Sequence, residues 1–347
     1  MRSQFIIVII WLSASACFQA TDKESIKSLP KLKTIEVKGL THAWVITYNK
    51  RYLRTQDGGK SWENKSLEEV GNPSRISFIN LTTGWAVDKD GNILKTIDGG
   101  NSWIKVSFIP YKDKQSAILI ISIQFIDNLH GWVIDPYFLW YTEDGGLSWD
   151  KRCPSNEVLN HKAQIYCGFL VSSRVWWLCG DQGKIYSTMD GGRTWLTKIV
   201  DSDAVVFDDI QFASDKLGWV MSYTGSAIYR TWDGGISWKK IKMAFGDERL
   251  LIKSVQFINL EDGWAAGKIL SDNVQFNGLP IGQFGAAIVL HTKDGGQSWE
   301  PVKAGEKEPF FERIFFADLQ NGWLVGQGNV YHTENGGQYW QKALALK

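Results

Sequence analysis

Apolar and polar residues alternate over short stretches, as in Ile76-Ser77-Phe78. The stretches break at turn-forming residues such as Asp90-Gly91-Asn92 and Gln182-Gly183. Alternation with period two between turn signals predicts strands joined by hairpins. One arrangement recurs. Strand A ends in Phe, and seven residues later strand B carries a Trp: Phe78/Trp85, Phe125/Trp132, Phe212/Trp219, Phe257/Trp264 and Phe316/Trp323. Val37/Trp44 is a further copy, with Ala43 for the usual Gly before the Trp. In the fourth unit Phe169 is followed by both Trp176 and Trp177, which leaves the register open by one residue. Strand C is the apolar pair before a glycine-rich turn, as in Ile93-Leu94-Lys95-Thr96, and strand D is expected to start at the Trp that closes that turn.

That turn is the strongest signal. The motif T-x-D-G-G-x-[ST]-W runs over Thr55–Trp62, Thr96–Trp103, Thr142–Trp149, Thr188–Trp195, Thr231–Trp238 and Thr292–Trp299, and a seventh copy, Thr333–Trp340, carries Asn335 and Tyr339. Its glycines take backbone angles that a Cβ resists, and its Asp accepts bonds from nearby amides. The intervals between the acidic positions are 41, 46, 46, 43, 61 and 41 residues. Periods of roughly 40–50 residues with strand content indicate propeller blades. The expected fold is an all-β, seven-bladed β-propeller of four-stranded antiparallel blades, with the boxes turning strand C into strand D. The blades fall at about 33–67, 68–108, 109–152, 153–200, 201–243, 244–303 and 304–345, behind a signal at 1–16 and a linker at 17–32.

Composition agrees: 18 Trp and 34 Gly suit aromatic packing and tight turns. A net charge of +1, evenly spread, leaves no footprint for nucleic acid. Arg2, the apolar run Phe5–Leu12 and Ala14-Ser15-Ala16 form an export signal too short to span a bilayer. Cys17 follows directly and is the candidate lipidation site, which makes the chain periplasmic or lumen-facing, membrane-anchored through lipid. A soluble exported protein and an uncleaved anchor are the alternatives. Cys167 has two candidate disulfide partners, Cys153 and Cys179, and three buried thiols are the remaining reading.

The G-W-[AV] strand, the hairpin and the box, repeated seven times, resemble the Asp-box (BNR-repeat) propellers, and most of all the photosystem II stability/assembly factor family. The resemblance implies a non-catalytic, exported scaffold that binds a protein partner such as a membrane-protein assembly intermediate. It also implies that Asp57, Asp98, Asp144, Asp190, Asp233 and Asp294, with Asn335, are structural turn residues. A monomer without cofactor is expected. The alternative within the Asp-box group is a sialidase-like hydrolase or a lectin that uses the axial pocket.

Catalytic signatures are sparse. The sialidase R-I-P motif does not occur, and Glu312-Arg313-Ile314-Phe315 lacks its Pro. His42, His130, His161, His291 and His332 have no zinc-site spacing, and there is no nucleophile elbow or P-loop. Asp208 and Asp209, at the start of the fifth strand A, are the best carboxylate pair for glycoside chemistry. The plainer expectation is a solvated strand end.

Loop lengths point to a binding face. The A–B and C–D turns share one face and hardly vary, whereas the D–A and B–C connections on the other face do. Trp264 to Thr292 spans 28 residues against 10 to 12 in the other blades. Variable loops carry function more often than scaffold turns. The candidate binding loops are therefore the insertion at about 268–286, with Asp272, Asn273, Phe276, Asn277, Leu279, Pro280 and Phe284, and the segment with Pro110, Tyr111, Lys112, Asp113 and Lys114. A candidate basic row precedes the box Thr: Arg54, Lys95, Arg230, His291 and His332, with Tyr141 and Ser187 at the same position. It suits an acidic peptide, or its stems cover the box Trp.

Overall fold

The computed structural model describes residues 32–345 apart from 48–51, 66–70, 72, 111–118, 204–205, 223–226, 244–249, 270–273, 277–278, 283–286, 303–309 and 327–328. Seven four-stranded sheets follow one another as blades of a propeller. Blade two shows the plan: A at Pro73–Phe78, B at Gly84–Asp88, C at Asn92–Thr96 and D at Ile104–Phe108, each neighbouring pair antiparallel. Strand D thus starts one residue after the box Trp rather than at it. Trp103 still belongs to the turn, and its ring meets Phe78 edge-on at 5.8 Å. One short helix, Asn156–Leu159, interrupts the connection from blade three to blade four, capped by the Ser155 side chain. Among the described residues no helix is long and apolar enough to cross a membrane.

The core lies in the seams between blades, one apolar cluster to each of the seven. The Trp of strand B stacks on the Phe of the next blade. Trp44 lies on Phe78 at 3.8 Å, Trp85 on Phe125 at 3.9 Å, Trp219 on Phe257 at 4.1 Å and Trp264 on Phe316 at 3.8 Å. Where a glycine precedes the Trp, it leaves room for the Phe of its own blade: a Cβ on Gly84 would sit 2.6 Å from the Phe78 ring.

Blade four solves that constraint by exchange. Leu170 pairs with Trp176 and Phe169 with Trp177, as Phe78 pairs with Gly84 and Ser77 with Trp85. Trp177 is therefore the motif Trp. Trp176 occupies the glycine position opposite the smaller Leu170, and its indole supplies the ring that Trp132 meets at 6.0 Å. Blade one relaxes the same contact with Val37 opposite Ala43.

A second set of seam bonds runs along the inner strands. In five blades the residue before the last apolar position of strand A reaches the next A strand: Glu36 to Phe78 N, Ser77 to Phe125 N, Gln124 to Leu170 N and Gln256 to Phe316 N each accept, while Gln211 donates to Val255 O. Six A strands also slip register by one residue near their start, in blades one, two, four, five, six and seven. Such bulges expose one extra residue to a new direction. Cys167 and Cys179, register partners on strands A and B of blade four, form a disulfide, and Cys153 is free and half-buried.

Candidate functional site

The six box carboxylates turn inward on their own turns. In blade two Asp98 accepts from Thr96 Oγ1, Ser102 N and Ser102 Oγ, while Thr96 Oγ1 accepts from Gly100 N. Asn335 keeps the bonds from Thr333 Oγ1 and Tyr339 N. Hydrogen bonds from Ser61 hold Asp57 down at about 2, and the same kind of bond from Ser237 holds Asp233 at about 2. A carboxylate so engaged is a turn clamp rather than an acid–base catalyst.

The basic row lies against the seams. Arg54 is buried and donates to Gly99 O of the next box at 3.0 Å, to Asn101 Oδ1 and to Glu63. Arg230 is buried likewise, donating to Gly295 O at 2.8 Å and Leu260 O at 3.0 Å. Lys95 sits 4.8 Å above Trp85, His291 stacks on Trp264 at 4.3 Å and His332 lies 4.6 Å from Trp323. Burial lowers the pKa of both imidazoles. Lys95, Arg230, His291 and His332 thus lie on the strand-B Trp of their own blade, Arg230 also over Trp232, and Arg54 is the register partner of Trp44. The structure does not gather the row into one exposed patch.

Asp208 and Asp209 are not a solvated strand end. They are 8% and 6% exposed, on the bulge of the fifth A strand. Burial pushes Asp208 up to about 7, helped by the Asp209 charge and opposed by Arg313 and Lys253. Burial likewise pushes Asp209 up to about 6 against Arg313. One oxygen of each carboxyl has no hydrogen-bond partner among the described residues. Sequence gave no signal of this burial, because the covering elements come from other blades. The two carboxyls are borne by consecutive residues of one strand. Glycosidase pairs instead face each other across a sugar, roughly 5–10 Å apart.

On the variable face the sixth-blade insertion forms a hairpin of its own, Val274–Phe276 paired with Leu279–Gly282, between strands B and C of that blade. Asp272, Asn273, Asn277 and Phe284, the side chain of Phe276, and Tyr111, Lys112 and Lys114 lie outside the described residues, as does Cys17. In the B–C and D–A connections of blades three and four, Tyr137 stacks on His161 at 4.0 Å, and Gln164 bridges Tyr137 and Tyr166. This aromatic corner had no motif to announce it.

Known proteins resemble this chain over most of its length. A "Photosystem II assembly lipoprotein Ycf48" of Synechococcus sp. (strain CC9902) is 26% identical over 320 residues, covering 84% of this chain and 81% of that protein. A "Photosystem II assembly protein Ycf48" of Thermosynechococcus vestitus is 24% identical over 346 residues, covering 93% and 89%. A solved structure, "YCF48 bound to D1 peptide", shares the fold with a TM-score of 0.66 at 18% identity, over 89% of this chain and 94% of that one. The family described as "Photosynthesis system II assembly factor YCF48" matches residues 21–108, 66–208 and 200–343, and the chain belongs to it.

Proposed function

We propose that this chain is a non-catalytic assembly scaffold, exported and anchored through lipid on Cys17, that holds a segment of a photosystem II protein on its variable-loop face. The observation that carries this reading is the family match over 21–343, which spans all seven blades rather than one motif. The similar structure titled "YCF48 bound to D1 peptide" supports a polypeptide partner. The internal use of the box carboxylates supports a binding role over a hydrolytic one. The hairpin at Val274–Gly282 is the largest departure from blade regularity and is the proposed contact. Affinity capture from native membranes with mass spectrometry tests the reading. Photosystem II reaction-centre subunits are expected with the full chain, and deletion of the hairpin is expected to lose them. Their absence with the full chain sinks the function. Unchanged capture by a folded deletion variant sinks the hairpin as the contact.

A further inference from the structure

Two of the described residues other than glycine hold a left-handed backbone, His161 at φ 60° and Gln182 at φ 57°, and both stand in the aromatic corner of blades three and four. His161 follows the short helix. Its N–H closes the helix on Val158 O at 3.0 Å, and the Lys162 N–H does so on Glu157 O at 2.8 Å, an ending that glycine serves best because it has no Cβ. Gln182 and Gly183 turn strand B of blade four into strand C, where asparagine is the easier first residue. A strained backbone persists where the surrounding structure makes use of the side chain. Here the His161 ring lies flat on Tyr137 at 4.0 Å. The Gln182 amide donates to Lys162 O at 3.3 Å and accepts from Lys184, which also holds Glu157. The two side chains thus pin the helix connection to blade three on one side and to blade four on the other.

The B–C turn of blade three is set as firmly. Asp135 accepts from Tyr137 N and Phe138 N, both at 2.8 Å, and Ile165 N donates to Pro136 O at 2.8 Å. Two ring walls result. One is the Tyr137–His161 stack, 8° from parallel, and the other is Phe138, edge-on to Tyr137 at 6.5 Å and to His161 at 6.4 Å. Lys151 lies over the Phe138 ring at 3.2 Å. His161 is exposed, so its imidazole, covered on one side by Tyr137, offers the other side to a third ring.

Hydrogen-bond polarity is fixed beside the rings. Gln164 Nε2 donates to Tyr137 Oη at 3.0 Å, and Gln164 Oε1 accepts from Tyr166 Oη at 2.8 Å. Tyr166 stands where the bulge of the fourth A strand turns a residue out of register. The Tyr137 hydroxyl is left with its proton to give, and the Tyr166 hydroxyl with lone pairs to accept. One amide, that of Gln164, spans the two. A second amide can span them in the reverse sense, its C=O taking the Tyr137 proton and its N–H reaching Tyr166 Oη. A main-chain peptide unit has this fixed polarity, whereas a sugar hydroxyl donates and accepts alike and needs no such arrangement. We infer that the corner binds an extended polypeptide segment of the partner, one peptide unit held between Tyr137 and Tyr166 and one aromatic side chain laid on His161. This rests on the reading of the chain as a polypeptide-binding scaffold, and it adds a second contact to the sixth-blade hairpin.

The end-capped peptide Ser-Trp-Ser-Trp-Ser, its Ser-Ala-Ser-Ala-Ser counterpart, a backbone N-methylated Trp form and a cello-oligosaccharide are titrated against the full chain by ligand-observed NMR. Saturable binding of the Trp peptide is expected, with the Ala and N-methylated forms weaker by roughly tenfold or more. Tyr137→Phe and Tyr166→Phe keep the rings and should each weaken it roughly three- to tenfold. His161→Gly should weaken it by a similar factor while leaving the melting temperature no lower than the parent's, because glycine suits the left-handed position. Unchanged binding by any of the three variants, equal binding of the Ala peptide, no saturable binding by the parent, or binding of the oligosaccharide in place of the peptide overturns the inference. Loss of photosystem capture with peptide binding intact sinks the proposed partner and leaves the corner standing. Capture without peptide binding does the reverse.

Discussion

Buried carboxyls behave differently from clamped ones, and the two kinds make opposite demands on pH. Asp57, Asp98 and Asp233 are held at about 2 by hydrogen bonds within their turns, so the folded state gains from their ionisation above the unfolded value of roughly 4 and loses that gain as pH falls toward about 2. Asp208 runs the other way. Its folded value of about 7 lies above the unfolded one, so the folded state binds the proton more tightly and stability falls as pH rises from roughly 4 through about 7. Desolvation and the Asp209 charge cause the shift, and Arg313 only partly offsets them. Asp208→Asn should therefore raise unfolding free energy near neutral to alkaline pH, by on the order of 1–2 kcal/mol, and flatten the slope between roughly pH 4 and pH 7. Urea unfolding at both ends of that window measures it. A variant less stable than the parent at alkaline pH would show that the Arg313 attraction outweighs desolvation.

At the scale of the strand, the pairing of Phe with glycine is the rule that makes a seam. A Cβ at position 84 collides with the Phe78 ring, so Gly84→Ala should cost about 1–3 kcal/mol, the range of overpacking in a rigid core. Blade one shows the remedy in Val37 opposite Ala43. The double variant Phe78→Val/Gly84→Ala should recover part of the loss, with a favourable coupling of about 1 kcal/mol in a double-mutant cycle. Additive effects would mean that the glycine serves something other than ring clearance. The same rule explains what was legible beforehand. Box spacing fixed blade number and strand phase, because each box supplies its own hydrogen bonds locally. The register of blade four stayed open because Trp176 and Trp177 both satisfy the pattern, and only the packing of Trp176 on Trp132 and of Trp177 on Phe212 separates them. The roles of Arg54 and Arg230 were hidden for a related reason: the carbonyls they meet, Gly99 and Gly295, belong to the following blade. The charge that opposes the upward shift of Asp209 likewise comes from a distant segment, Arg313, two blades away.

Across the whole ring, the seams are not equally fastened. The seam from blade four to blade five has Phe169 where other inner strands have a hydrogen-bonding side chain, yet keeps the stack of Trp177 on Phe212 at 4.4 Å. The closing seam from blade seven to blade one shows neither device among the described residues. Phe315 stands at the polar position, and Trp323 faces Val37 instead of a Phe, although Trp62 adds an edge contact at 6.2 Å and a bond to Ala343 O. Among the described residues every blade is built from its own segment of chain, and no exchanged strand reinforces this closure. Opening should therefore begin between blades seven and one, with local free energy below that of global unfolding. Hydrogen exchange followed by mass spectrometry should find Phe311–Phe316 and Leu32–Lys38 less protected than Pro73–Phe78 and Leu250–Phe257, which carry both a stack and an inner bond. Faster exchange at Phe207–Phe212, beside the seam that lacks only the inner bond, would show that the inner bond rather than the Trp–Phe stack holds the blades together.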